Sequence, residues 1–140
     1  MGKIQLTPED LMKGELLKNG WFKASITNVG IKPSKDGESV NYTFTFALEN
    51  DPDGRSIDHL FNSKGIGFMK PFLAAISGKT IKEFIEEHKT KGVEFDPEGC
   101  VKAKLQIKIA DQIWEVAKGG DGQPRSKVAD FAPYNTQVTL

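Results

Sequence analysis

Cations and flat rings recur along this chain at positions where they could act on one ligand. Lys23 lies two residues after Trp21, and Lys32 and Lys35 sit in the turn "KPSKDGES". Arg55, His59 and Phe61 fall on alternate positions of one stretch, and Lys102, Lys104 and Lys108 on alternate positions of another. Trp114 comes shortly after, and Arg125 and Lys127 stand at and beyond the end of the glycine-rich "GGDGQPR". The chemistry open to such a set is non-covalent. Ammonium and guanidinium groups neutralise phosphates, while each base stacked on a ring is worth about 1–3 kcal/mol. Asn41 and Thr43 add uncharged polar groups that can hydrogen-bond a base or a backbone without repelling it.

Bond-making chemistry has less support. "SGKT" at 77–80 has the end of a phosphate-binding loop, but that motif needs a glycine where Leu73 stands, and no strand precedes it. Thr80 is better placed to cap a helix. "DPDG" at 51–54 lacks the further acidic ligands and the terminal glutamate of a calcium loop, which leaves a turn. His59, His88 and Cys100 are too few and too scattered for a zinc site without carboxylates. Asp58 beside His59 has no serine or cysteine nucleophile that the sequence can nominate. Neither a catalytic constellation nor a cofactor is expected.

The 140 residues, 38% of them hydrophobic and 27% charged, are enough for one domain with one core. Lysine plus arginine equal aspartate plus glutamate at 19 each, so any nucleic-acid site must be local. The start lacks the apolar core of a signal peptide, and no run approaches the roughly 18 apolar residues of a membrane span. The lone Cys100 gives no disulfide framework and fits a reducing, cytoplasmic setting.

The elements that must position these side chains can be read from hydrophobic period. "LTPEDLMKGELLKNG" predicts a short N-terminal helix, with Thr7 as cap and Pro8 in its first turn. "WFKASITNVGI" reads as a strand that bends, with Gly30 as the bend point. Val40, Tyr42, Phe44, Phe46 and Leu48 then alternate with Asn41, Thr43, Thr45 and Ala47, giving a strand with an apolar and an uncharged polar face. "NDPDGR" turns into a third strand, "RSIDHLF". Phe68, Phe72, Leu73 and Ile76 recur at helical spacing, followed by Ile81, Phe84 and Ile85 behind a Thr80–Glu83 capping box. "CVKAKLQIKIA" is the cleanest half-buried strand, "QIWEVAK" its expected hairpin partner, and "SKVADFAPY" a short closing strand.

Three strands, a helical insertion and two or three strands form the order of an OB-fold, a Greek-key barrel with its helix between the third and fourth strands. The expected architecture is mainly β, a five- to six-stranded OB-like barrel over residues 20–134 with a helical segment at 1–19 and a tail at 135–140, all one domain. "NGWFKASITNVGIKPSKDGESVNYTFTFAL" and "KVADFAPY" resemble small single-stranded-DNA-binding proteins of bacteriophages. That resemblance implies a barrel that coats single strands in phage replication or recombination, in the cytoplasm of the infected host. "NTQVTL" departs from the acidic tip by which bacterial single-stranded-DNA-binding proteins recruit partners.

Each residue also has a plainer reading. Lys102, Lys104 and Lys108 could be only the solvated face of a strand, which lysine keeps from pairing with other chains. Lys32, Lys35, Arg125 and Lys127 could be ordinary loop charges. Trp21 and Trp114 could be core, and Ile57 gives the face of Arg55, His59 and Phe61 a core reading too. The rival functions are a protein-interaction or phage assembly module and a metal-dependent nuclease. A neutral chain with one modest basic face would be helped by dimerisation or cooperative self-association along the DNA.

Overall fold

The computed structural model describes residue 3 and residues 19–52, 54–113 and 124–136. The expected N-terminal helix, Trp114, the glycine-rich stretch and most of the tail lie outside the described residues. Five antiparallel strands form one curled sheet: β1 (Gly20–Pro33), β2 (Val40–Leu48), β3 (Ser56–Asn62), β4 (Lys104–Ile113) and β5 (Pro124–Ala132), in the order β3-β2-β1-β4-β5. Among the described residues no helix is long and apolar enough to cross a membrane.

The curl originates in β1, which serves two neighbours. Its first half pairs with β4, from Gly20 opposite Ile109 to Ser25 opposite Lys104, and its second half pairs with β2. The register slips between Ile26 and Asn28, so Thr27 is an extra residue that bends the strand and increases its twist. The chain before β4 locks onto this point: Ile26 N donates to Ala103 O at 2.9 Å and Lys102 N to Ile26 O at 2.7 Å. The bend therefore lies at Thr27 rather than at Gly30, because cross-strand pairing places the extra residue and a small side chain does not.

The concave face holds the core. The alternation read in β2 holds, with Phe44, Phe46 and Leu48 buried and Tyr42 packed against them. Between β3 and β4 run a 3-10 segment (Ser63–Met69), helix α1 (Lys70–Ile76) and helix α2 (Ile81–His88). Helix α1 drives Phe72 into the concave face, its ring centroid 4.7 Å from that of Phe44 and 5.4 Å from those of both Phe61 and Phe131. Burying each such ring is worth about 1.5–3 kcal/mol, so the stack as a whole contributes more than a typical single hydrogen bond of about 0.5–1.5 kcal/mol. Helix α2 starts at the capping box read from Thr80 and Glu83, where Glu83 N donates to Thr80 Oγ1 at 3.2 Å and Thr80 N to Glu83 Oε1 at 3.1 Å.

Three expectations about elements are corrected. Phe68 does not continue the apolar stripe of Phe72 and Leu73: it lies in the 3-10 segment and is 82% exposed. The fourth strand begins at Lys104, because Glu98–Cys100 form a 3-10 turn and Lys102 takes a positive φ of 79°. The hairpin partner of β4 is "PRSKVADFA" and not "QIWEVAK", whose first residues Gln112 and Ile113 still belong to β4. The described strands number five.

The edge strands β3 and β5 approach each other without a backbone ladder among the described residues. Rings close the gap: the Phe131 centroid lies 5.6 Å from His59 and 6.1 Å from Phe61.

Candidate nucleic-acid interface

The convex face of β1 and β4 brings together part of the set read from sequence. Residues opposite one another in an antiparallel pair share a face. Trp21 stands opposite Lys108, Lys23 opposite Gln106 and Ser25 opposite Lys104, all on the side away from buried Ala24, Leu105 and Ile107. Trp21 is half-buried, while Lys23, Lys104 and Lys108 are exposed. Asp130 of β5 extends the row beyond Lys108.

Tyr134 is the centre of this face, and the sequence reading missed it. Lys23 Nζ lies 4.7 Å and Lys104 Nζ 5.4 Å from its ring centroid. Its hydroxyl donates to the Glu49 carboxylate, 2.7 Å from Oε2 and 2.9 Å from Oε1, and Lys104 Nζ is 3.8 Å from Glu49 Oε1. That hydrogen bond, which favours the protonated phenol, pushes the Tyr134 pKa up. Gln106 fixes the chain around the ring by donating from Nε2 to Pro133 O at 2.9 Å and to Thr136 O. "KVADFAPY" contained the signal, but only the turn after β5 folds the tyrosine back over the sheet.

A second, mostly uncharged polar surface, with Lys32 and Asp58 as its charged members, covers the convex side of β1, β2 and β3. Lys32, Asn41 and Asn62 form one row across it, and Gly30, Thr43 and Leu60 the next. Asn62 Nδ2 donates to Asn41 Oδ1 at 2.7 Å and to Ser39 Oγ at 2.9 Å, which fixes the row's amides. Lys32 and Lys35 are exposed and make no ion pair among the described residues. Asp36 and Glu38 in the same loop face Lys64 at 3.5 and 3.4 Å. Hydrogen bonds from Ser34 Oγ and the Glu38 amide hold the Asp36 pKa below the usual carboxylate value. The loop itself thus carries one cation, Lys35, against two anions, with Lys32 at the end of β1 beside it.

Arg55, His59 and Phe61 do not make an exposed cation-and-ring patch. Arg55 is held by Asp51 in a two-pronged ion pair, Nη2 to Oδ1 at 2.8 Å and Nε to Oδ2 at 3.0 Å. Phe61 is buried, and His59 packs edge-on against it at 4.7 Å, so burial pushes the imidazole pKa down. Their face is the concave one because Tyr42, Phe44 and Phe46 stand opposite Phe61, His59 and Ile57. Lys102 is exposed on the turn before β4, away from the row of Lys104 and Lys108. Lys127 is exposed on β5 opposite Ala110, and Arg125 pairs through its backbone with Gln112.

Sequence reasoning also missed the surface around Phe68. A groove of about 540 Å³ runs along the β3–β5 seam between Leu60, Phe131 and Phe68, and one of about 460 Å³ lies between Phe68, Lys70 and Ile81. Gly65 and Gly67 in "SKGIGFM" are the available signal, since glycines two apart oppose a helix through Phe68. Among the described residues no cluster of three or more histidine, cysteine or acidic side chains could hold a metal ion. No protein-family model matches this chain, and no curated protein matches it significantly.

Proposed function

We propose that this chain binds single-stranded DNA without sequence preference, through an OB-like half-barrel. The observation that carries the reading is the convex face of β1 and β4, where two rings, Trp21 and Tyr134, stand among Lys23, Lys104 and Lys108. The strand layout supports it: β1 pairs with both β2 and β4, and the chain between β3 and β4 carries the helices, as in OB-type Greek keys. The resemblance in sequence supplies the setting, in which the protein protects or organises single strands during phage replication or recombination.

Rings matter more than charge on this face. Lys23, Lys104 and Lys108 are offset by Glu49 and Asp130, whereas two stacked bases contribute about 2–6 kcal/mol. A phosphate reaching Lys104 competes with Glu49 for the ammonium. The test is fluorescence anisotropy with an oligo-dT and a duplex of equal length over a range of salt, with a Trp21→Ala variant beside the wild type. Preferential single-strand binding is expected, with a log–log salt slope of about −2 to −3, as for three or four neutralised phosphates. Absence of binding to either DNA at low salt would sink the reading.

A further inference from the structure

Phe68 is the most exposed of the large apolar side chains described, and nothing in the fold accounts for it. Its ring is nevertheless placed with some care. A Cβ on Gly65 would come to 3.1 Å from Phe68 Cδ2, so the ring lies close against the Gly65 backbone and would have to shift slightly for any larger residue there. Grooves open on two sides of it, one lined by Gly67, Lys70, Pro71 and Ile81, the other running past Leu60 and Asn62 to Asp130. The surrounding chain is locally basic: between His59 and Lys82 it carries Lys64, Lys70, Lys79 and Lys82 and no carboxylate. Lys64 faces Asp36 and Glu38, and Lys79 pairs with Glu87, but Lys70 and Lys82 have no ion pair among the described residues.

We infer that Phe68 is a base-stacking platform and Lys70 the cation for the adjoining phosphate, so that a single strand crosses the 3-10 segment. The inference rests on the proposed single-strand binding and gives it a second contact point. An exposed ring beside an unpaired ammonium in an acid-free stretch is complementary to a nucleotide, which offers a π-face and an anion about one side-chain length apart. Asp130 lies between the two contact points, since it borders the Phe68 groove and stands opposite Lys108, the cross-strand neighbour of Trp21, so a strand joining them passes this carboxylate. A protein partner could meet the ring with an apolar side chain and Lys70 with a carboxylate, and oligo-dT affinity that is unchanged in Phe68→Ala would point to that occupant.

Oligo-dT titrations of the full chain as wild type, Phe68→Ala, Phe68→Leu, Phe68→Tyr, Lys70→Gln and Trp21→Ala test this, with thermal melts to verify folding. Phe68→Ala and Phe68→Leu are expected to weaken binding by about 5- to 150-fold, and Phe68→Tyr to remain within about twofold of wild type. Lys70→Gln should make the log–log salt slope shallower by about 0.7. Wild-type affinity in Phe68→Ala while Trp21→Ala weakens binding overturns the platform and leaves the proposed function standing. Full rescue by Phe68→Leu also overturns it, since an apolar contact would then suffice. If the wild type binds no DNA at low salt, both readings fall together.

Discussion

Asp51 keeps only 4% of its side chain exposed because Arg55 binds both carboxylate oxygens and the Arg55 amide donates to one of them at 2.8 Å. The arginine is therefore committed to closing the turn between β2 and β3. Asp51→Ala is expected to destabilise the fold by about 1–3 kcal/mol in urea melts, while leaving oligonucleotide affinity per folded molecule unchanged. His59 is a second residue whose context decides its role. Burial disfavours its imidazolium, so its folded pKa lies below the ordinary 6.5, and the unfolded chain takes up the proton first as pH falls. Its contribution to stability is full above about pH 6.5 and is lost as pH drops toward the folded pKa. The stability difference between about pH 7.5 and 5.5 should shrink in His59→Phe, and an unchanged difference would show that His59 does not sense pH. The core setting of His59 was one of two readings the sequence left open through Ile57, whereas the pairing of Arg55 with Asp51 was not read at all. A cation looks the same whether its partner is a phosphate or a carboxylate four residues away, and Tyr134 meets Lys23 and Lys104 only through the turn after β5.

Strand β2 was legible to the residue because its period of two is uninterrupted and its apolar face is aromatic. Strand β1 was legible as a bent strand, but its bend was not. The extra residue is set by which partner carbonyls are available, and these belong to β2 and to the segment entering β4. Gly30 therefore has no backbone duty: its φ is not positive, and a Cβ there would sit 3.9 Å from Thr43 Cβ, an ordinary contact. Gly30→Ala should stabilise the protein by about 0.4–1 kcal/mol by restricting the unfolded chain, seen as a raised melting temperature. The helical connection shows the reverse dependence, since Phe72 alone touches the rings of β2, β3 and β5. Phe72→Ala is expected to cost about 3–5 kcal/mol, large enough to show as a lower urea midpoint or as loss of folding. Phe68, four residues earlier and on the same apparent helical stripe, should change stability by less than about 0.5 kcal/mol when cut to alanine.

At the scale of the molecule, the proposed single-strand binding would have to draw on ring contacts and local lysines, because the charge of the chain is balanced. Self-association along DNA would multiply such modest contacts. Sedimentation with and without a long oligo-dT should show species larger than one chain per binding site, and a mass of one chain in both conditions would count against cooperative coating. The seam between β3 and β5 has a further bearing on the outer surface. Backbone ladders fix strand spacing at about 4.8 Å; here the spacing of the two edges follows the width of the Phe131, His59 and Phe61 rings instead. Side-chain volume at this seam is therefore expected to set how tightly the sheet curls. A smaller residue at Phe131 would tighten or slacken the whole curve, changing how Trp21, Lys108 and Phe68 are splayed around it without altering any of them.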